Sequence, residues 1–178
     1  MNIGRRDVSS SLVLHRSGSG WHPIGRGIVI LIQWAFVIMY VIVMFLFASQ
    51  EASSASYTNT FLARFLPHLS AAELRQLTLI ARKAVHVFAY GVLTLITYYA
   101  GRRTKRLRRA ALPLAVAFSF LVAILDEAYQ SRLLYRTGSL TDVFIDGLGI
   151  TATAFGLWMV SKWRRRHKEV AEDAQNKR

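Results

Sequence analysis

Residues 27–48 form an apolar run of 22 residues without one charged side chain, and its polar residues are limited to Gln33 and Tyr40. A helix needs about 20 such residues to cross the hydrocarbon of a bilayer, so the run predicts a transmembrane helix. A secretory signal segment is the competing reading, but its apolar part covers only roughly 7–15 residues. The basic lead-in of 26 residues is also long for one. Three further apolar runs, 84–100, 110–127 and 142–161, are shorter or carry polar residues, and each needs its neighbours to satisfy those groups. The predicted fold is all-α: a polytopic membrane protein with four transmembrane helices in a compact bundle and both termini cytoplasmic. Residues 1–26 read as a basic, disordered cytoplasmic arm, 27–161 as the membrane domain and 162–178 as a charged cytoplasmic tail.

The orientation follows from where the charge lies. The net charge is +13, and residues 1–26, 101–109 and 162–178 hold 17 of the 23 basic side chains but only four of the ten acidic ones. The rest of the chain balances at six of each sign. These three basic segments fall on alternate ends of the four runs, so the positive-inside rule places them all in the cytoplasm. Loops 49–83 and 128–141 then face outward. Arginine clusters beside spanning helices set topology and touch anionic headgroups, which accounts for the charge without nucleic acid as a partner.

Local signals refine the runs. Ser70-Ala71-Ala72-Glu73 fits a capping box, so the second helix is expected to start well outside the bilayer and to enter it near Arg82. Pro113 is tolerated in the first turn of a third helix starting near Ala110, and Ser139 or Thr141 can cap the fourth. Gly147, Gly149 and Gly156, with Ala152 and Ala154, offer small surfaces for close helix contact. Tyr57, Tyr98, Tyr99, Trp21 and Trp163 are expected in aromatic belts at the interfaces.

Ionisable residues at the ends of apolar runs mark candidate sites in a membrane protein. Lys83, His86 and Tyr90 stand at i, i+3 and i+7, Glu127 and Gln130 at i, i+3, and Asp142 and Asp146 at i, i+4, so each set shares one helix face. With the topology above, all three sets lie at the outer end, where they can meet. Pairing of His86 with Glu127 or Asp146 offers a general acid or base near neutral pH. His86, Glu127, Asp146 and Asp142 are therefore the candidate catalytic residues. Arg82, Lys83 and Arg136 suit a phosphate or carboxylate, and with Tyr90, Asp126 and Gln130 they form the candidate substrate-binding set. A structural ion-pair network that locks the helices together is the competing reading of the same spacing. One histidine among carboxylates could hold a divalent ion, but the chain has no cysteine, and no His-x-x-x-His or Glu-x-x-His pair stands on any run. Neither a metal nor another cofactor is expected.

The ordered set Arg82-Lys83-x-x-His86-x-x-x-Tyr90, Asp126-Glu127-x-x-Gln130, Arg136 and Asp142-x-x-x-Asp146-Gly147-x-Gly149 resembles the signature of the VanZ-like family of bacterial membrane proteins. The resemblance reaches Phe47-Ala48-Ser49-Gln50 and covers roughly 45–157. Two positions depart from the family's pattern. Leu134-Tyr135 stand where relatives often have Pro-Gly, and Ala89 where many have an acidic residue. The family resembles the protein for which it is named, which is associated with resistance to the glycopeptide teicoplanin. The resemblance implies a multi-pass protein of the bacterial inner membrane, and a fold and a site rather than a settled reaction.

The expected function is an outward-facing His/Glu/Asp/Arg cluster that binds or modifies a cell-envelope component, either an anionic lipid or a lipid-linked glycan precursor. Membrane lipids, with an envelope precursor or a glycopeptide-related ligand, are its expected partners. The alternative is a non-enzymatic module that binds or shields such a precursor around a structural polar network. A proton or ion pathway fits less well, because the inner halves of the four runs are almost free of charge.

Overall fold

A computed structural model describes residues 23–49, 55–132 and 140–177 of the chain. Five helices and no strand occur among the described residues: α1 (Pro23–Ser49), α2 (Ala55–Phe65), α3 (Ala71–Arg103), α4 (Ala111–Gln130) and α5 (Leu140–Asn176). Four of them, all but α2, are long and apolar enough to cross a membrane. Their outer faces agree with that reading. Leu31, Phe88 and Phe144 are 70, 73 and 78% exposed, and apolar exposure on this scale has no place in water.

The extra helix, α2, lies in the segment expected only as a loop. Its less exposed positions, Ala55, Thr58, Asn59, Leu62 and Ala63, recur with helical spacing. Phe61 and Phe65 meet on its far side, their tilted rings 4.9 Å apart. The Thr78 hydroxyl reaches Asn59 Oδ1 at 3.3 Å and ties α2 to α3.

Helix α3 starts as its capping box requires. The Ser70 side chain accepts from Glu73 N at 3.4 Å, and Glu73 Oε2 accepts from Ser70 N at 2.8 Å. At 1.5 Å per residue its 33 residues span about 50 Å, against a hydrocarbon core of about 30 Å. One end therefore projects beyond the bilayer. After Arg103, tight turns through Thr104, Leu107 and Ala110 lead into α4, with Pro113 in its first turn. Helix α5 runs through Asn176, well past residue 161 where the apolar run ends. The tail that follows is rich in Lys, Arg, Glu and Ala and has neither Gly nor Pro, so nothing stops the helix.

Helix α3 is the central element. It packs most closely on α5 and also on α4, while α1 lies outside against α3 and buries little more than Val37 and Ala48. The core consists of Val37, Tyr90, Leu93, Ala100, Val122, Ala123 and Ile150. Glycines set the tightest contact. A Cβ on Gly149 would overlap the Val87 carbonyl, and one on Gly91 would come within 2.9 Å of Thr153 Oγ1. Tyr98, expected in an interfacial belt, is instead buried against Ala111 and Ala115, with the Arg102 guanidinium over its ring. Tyr57, Tyr99 and Trp163 are exposed.

Candidate functional site

The polar residues of the three sequence sets gather at one end of the bundle, the end away from the basic 104–110 turn. Each reaches the site from a different helix: Arg82, Lys83, His86 and Tyr90 from α3, Asp126, Glu127 and Gln130 from α4, and Asp142 and Asp146 from α5. Arg136 lies outside the described residues, as do Ser139 and the segment 50–54.

Two nodes form. In the first, His86 Nδ1 lies 3.2 Å from Asp146 Oδ1. Asp146 is fully buried and His86 partly so, and Glu127 is buried beside them. Ligand atoms of His86, Glu127 and Asp146 all lie within 4.8 Å of one another, close enough for the three to hold a metal ion. The rule of paired ligands on one helix missed this set, because each member comes from a separate helix.

The second node is deeper. The Tyr90 hydroxyl donates to Asp126 Oδ2 at 2.9 Å, and Gln130 Nε2 donates to the same oxygen at 2.8 Å. All three residues are buried. The rings of His86 and Tyr90 lie 6.3 Å apart, so one turn of α3 carries both nodes. Asp126, expected to touch substrate, is thus held as an acceptor for two neighbours through one oxygen, while its Oδ1 has no partner among the described residues. Farther along, Thr94 Oγ1 and Ser119 Oγ are 3.0 Å apart and join α3 to α4.

Lys83 and Asp142 stand at the rim. Their ion pair measures 3.6 Å with both side chains partly exposed, so it contributes at most about 1 kcal/mol. Arg82 makes no hydrogen bond or ion pair among the described residues.

Two clefts meet at this site. One, of about 100 Å³, is walled by Lys83, Glu127, Asp142 and Asp146 and is mainly polar. The other, of about 180 Å³, is mainly apolar, with Met44, Phe47 and Ala48 of α1, Thr58 of α2 and Val85 and Ala89 of α3 in its wall. Arg82, His86 and Gln130 border both. The Tyr40 hydroxyl donates to the Ala89 carbonyl at 3.1 Å and pins α1 along the apolar cleft. The wall residues of α1 and α2 carry no charge and stand out from no periodic pattern, so residue type alone could not find them.

Four apolar spans around a buried polar cluster at one end define a multi-pass helical membrane protein with a site near one membrane face. The residues that build that site fall within the stretch that matches a known family. The chain belongs to the VanZ/LLP1 family, which it matches over residues 31–162. Neither curated proteins nor solved structures give a match to it.

Proposed function

We infer that this VanZ/LLP1 protein works in a bacterial inner membrane with its cluster facing outward, where it binds or modifies an anionic cell-envelope component. A phospholipid or a lipid-linked glycan precursor has the required chemistry, and the family membership is what supports a role in teicoplanin resistance. The observation that carries this reading is the pair of clefts that meet at Arg82. An apolar cleft along α1 suits an acyl or prenyl chain, and a polar one suits its headgroup. Arg82 stands between them with no partner among the described residues, and a part-buried guanidinium so placed favours a phosphate or carboxylate.

In this reading Arg82 holds the anion and Arg136, between α4 and α5 in the sequence, assists it. Asp146 fixes the His86 ring through Nδ1, and His86 then serves as general acid or base toward the headgroup, with Glu127 sharing the proton. The buried Tyr90–Asp126–Gln130 node supports a second reading, in which the polar set is scaffold for a module that binds without chemistry.

Mass spectrometry of lipids retained by the purified protein tests the binding. Arg82→Gln is expected to lower retention of anionic lipid by about tenfold or more, since a hydrogen bond to a charged group contributes about 1.5–3 kcal/mol. Equal retention by wild type and variant sinks the proposal. Turnover is tested separately with His86→Gln and Glu127→Gln. An altered envelope-lipid profile that depends on both residues, at normal membrane abundance, selects the enzyme, and an unchanged profile selects the binder.

A further inference from the structure

We propose that His86, Glu127 and Asp146 form a binding site for one divalent transition-metal ion, Zn²⁺ or Mn²⁺, at the floor of the polar cleft. Three helices each supply one ligand, α3 an imidazole and α4 and α5 a carboxylate, with the ligand atoms within 4.8 Å of one another. Ligands about 2.0–2.2 Å from an ion stand about 3.0 Å apart at right angles and about 3.4 Å apart in a tetrahedron. The His86 Nδ1 to Asp146 Oδ1 separation of 3.2 Å falls between these values. The widest pair, within 4.8 Å, must close by up to about 1.4 Å to reach the tetrahedral separation, a movement that rotation about the side-chain bonds of Glu127 can supply.

A second, independent observation comes from Asp146. It is fully buried and lines the cleft, and its Oδ2 has no hydrogen-bond partner among the described residues. A buried carboxylate oxygen without a partner is strongly disfavoured. The contact with His86 occupies Oδ1 alone, so an ion pair between the two leaves Oδ2 unsatisfied. Lys83 does not compensate for it, because its ammonium faces Asp142 at the rim. A cation in the cleft satisfies Asp146 Oδ2 and offsets the buried charge of Asp146.

The donor set selects the metal. Imidazole suits zinc and its neighbours, carboxylates also suit manganese, and the chain has no thiolate to favour softer ions. Three protein ligands beside an open cleft leave a coordination position free, as in catalytic rather than structural zinc sites. Arg82 borders that same cleft, so an anion held there lies next to the free position. An ion in this place would polarise its bound oxygen and, with His86 and Glu127 engaged as ligands, would replace the acid–base role given to them above.

The test uses the full chain in detergent, stripped with a chelator and equilibrated with Zn²⁺ or Mn²⁺ alone, with metal content measured by mass spectrometry and affinity by chelator competition. About one ion per chain is expected, with Glu127→Gln and His86→Gln each weakening binding at least about tenfold. Glu73→Gln, in the helix cap, should bind as wild type does. Co²⁺ added to the stripped wild type should develop a visible absorption band, a readout that does not depend on the variants folding. Fewer than about one ion per ten chains with both metals, or unchanged affinity in the two site variants, overturns the proposal. Because no lipid is added, a protein that binds Zn²⁺ but not anionic lipid refutes only the function proposed above. One that retains lipid and takes up no ion refutes only the metal site.

Discussion

Tyr90 shows how one side chain serves both packing and polarity. Its ring is buried in the core, and its hydroxyl supplies one of two donors to the buried Asp126. Tyr90→Phe keeps the ring and removes the donor, leaving Asp126 with Gln130 alone. The expected loss of stability is about 1–3 kcal/mol, the range for a buried polar group deprived of its partner, read from unfolding of the purified protein in micelles. Lys83→Met breaks only the part-exposed pair with Asp142 and is expected to cost less than about 1 kcal/mol in the same assay. A Lys83 effect as large as that of Tyr90 would contradict the burial assigned to each. Both residues were legible as members of one helix face through the i, i+3, i+7 spacing. That Tyr90 turns to Asp126 and Lys83 to Asp142 was not, because the spacing names a face and leaves the partner helix open.

At the scale of the element, the crossing of α3 and α5 depends on a glycine. Gly149→Ala drives a Cβ into the Val87 carbonyl, a backbone atom that no rotamer change can move aside. The two helices must separate, and a loss of about 1–3 kcal/mol is expected from overpacking of this kind. The same substitution at Gly156, with nothing within 4 Å, is expected to be neutral or to stabilise by up to about 1 kcal/mol. Thermal unfolding of the two variants side by side checks the contrast. The sequence marks Gly147, Gly149 and Gly156 alike as surfaces for close helix contact; the packing bears this out at Gly149 and Gly147 and not at Gly156, which faces open space. Helix α2 was missed for a related reason. Its inward face is Thr58, Asn59 and Leu62, polar enough that its helical spacing gave no hydrophobic stripe.

For the whole molecule, the absence of native cysteine makes the topology directly testable. Single substitutions Arg132→Cys, beside the site, and Lys105→Cys and Lys177→Cys, at the opposite end, can be probed in intact cells with a membrane-impermeant maleimide. The positive-inside rule predicts labelling at 132 only, with 105 and 177 reacting once the membrane is opened. Labelling of 105 in intact cells would turn the site toward the cytoplasm and remove the outward-facing cluster from the proposed function. The asymmetry behind the prediction is plain: Arg102, Arg103, Lys105, Arg106, Arg108 and Arg109 crowd the 104–110 end, all of them exposed, while outside the three basic segments the two signs of charge balance.

The sequence by itself determined that the chain spans a membrane four times and which residues stand near the ends of those spans, because hydrocarbon requires about 20 apolar residues per helix and penalises every charge. It also marked His86, Glu127 and Asp146 as members of a shared site, through their common end of the bundle. Only the tertiary structure decided their pairing: His86 with Asp146, Tyr90 and Gln130 with Asp126, and Lys83 with Asp142. It alone placed an apolar cleft beside the polar one and grouped one imidazole and two carboxylates closely enough for an ion. The physical reason is that hydropathy and helical period act along a single chain segment. Partners, clefts and coordination depend on how three helices rotate against one another, and close contacts such as Gly149 against Val87 set that rotation.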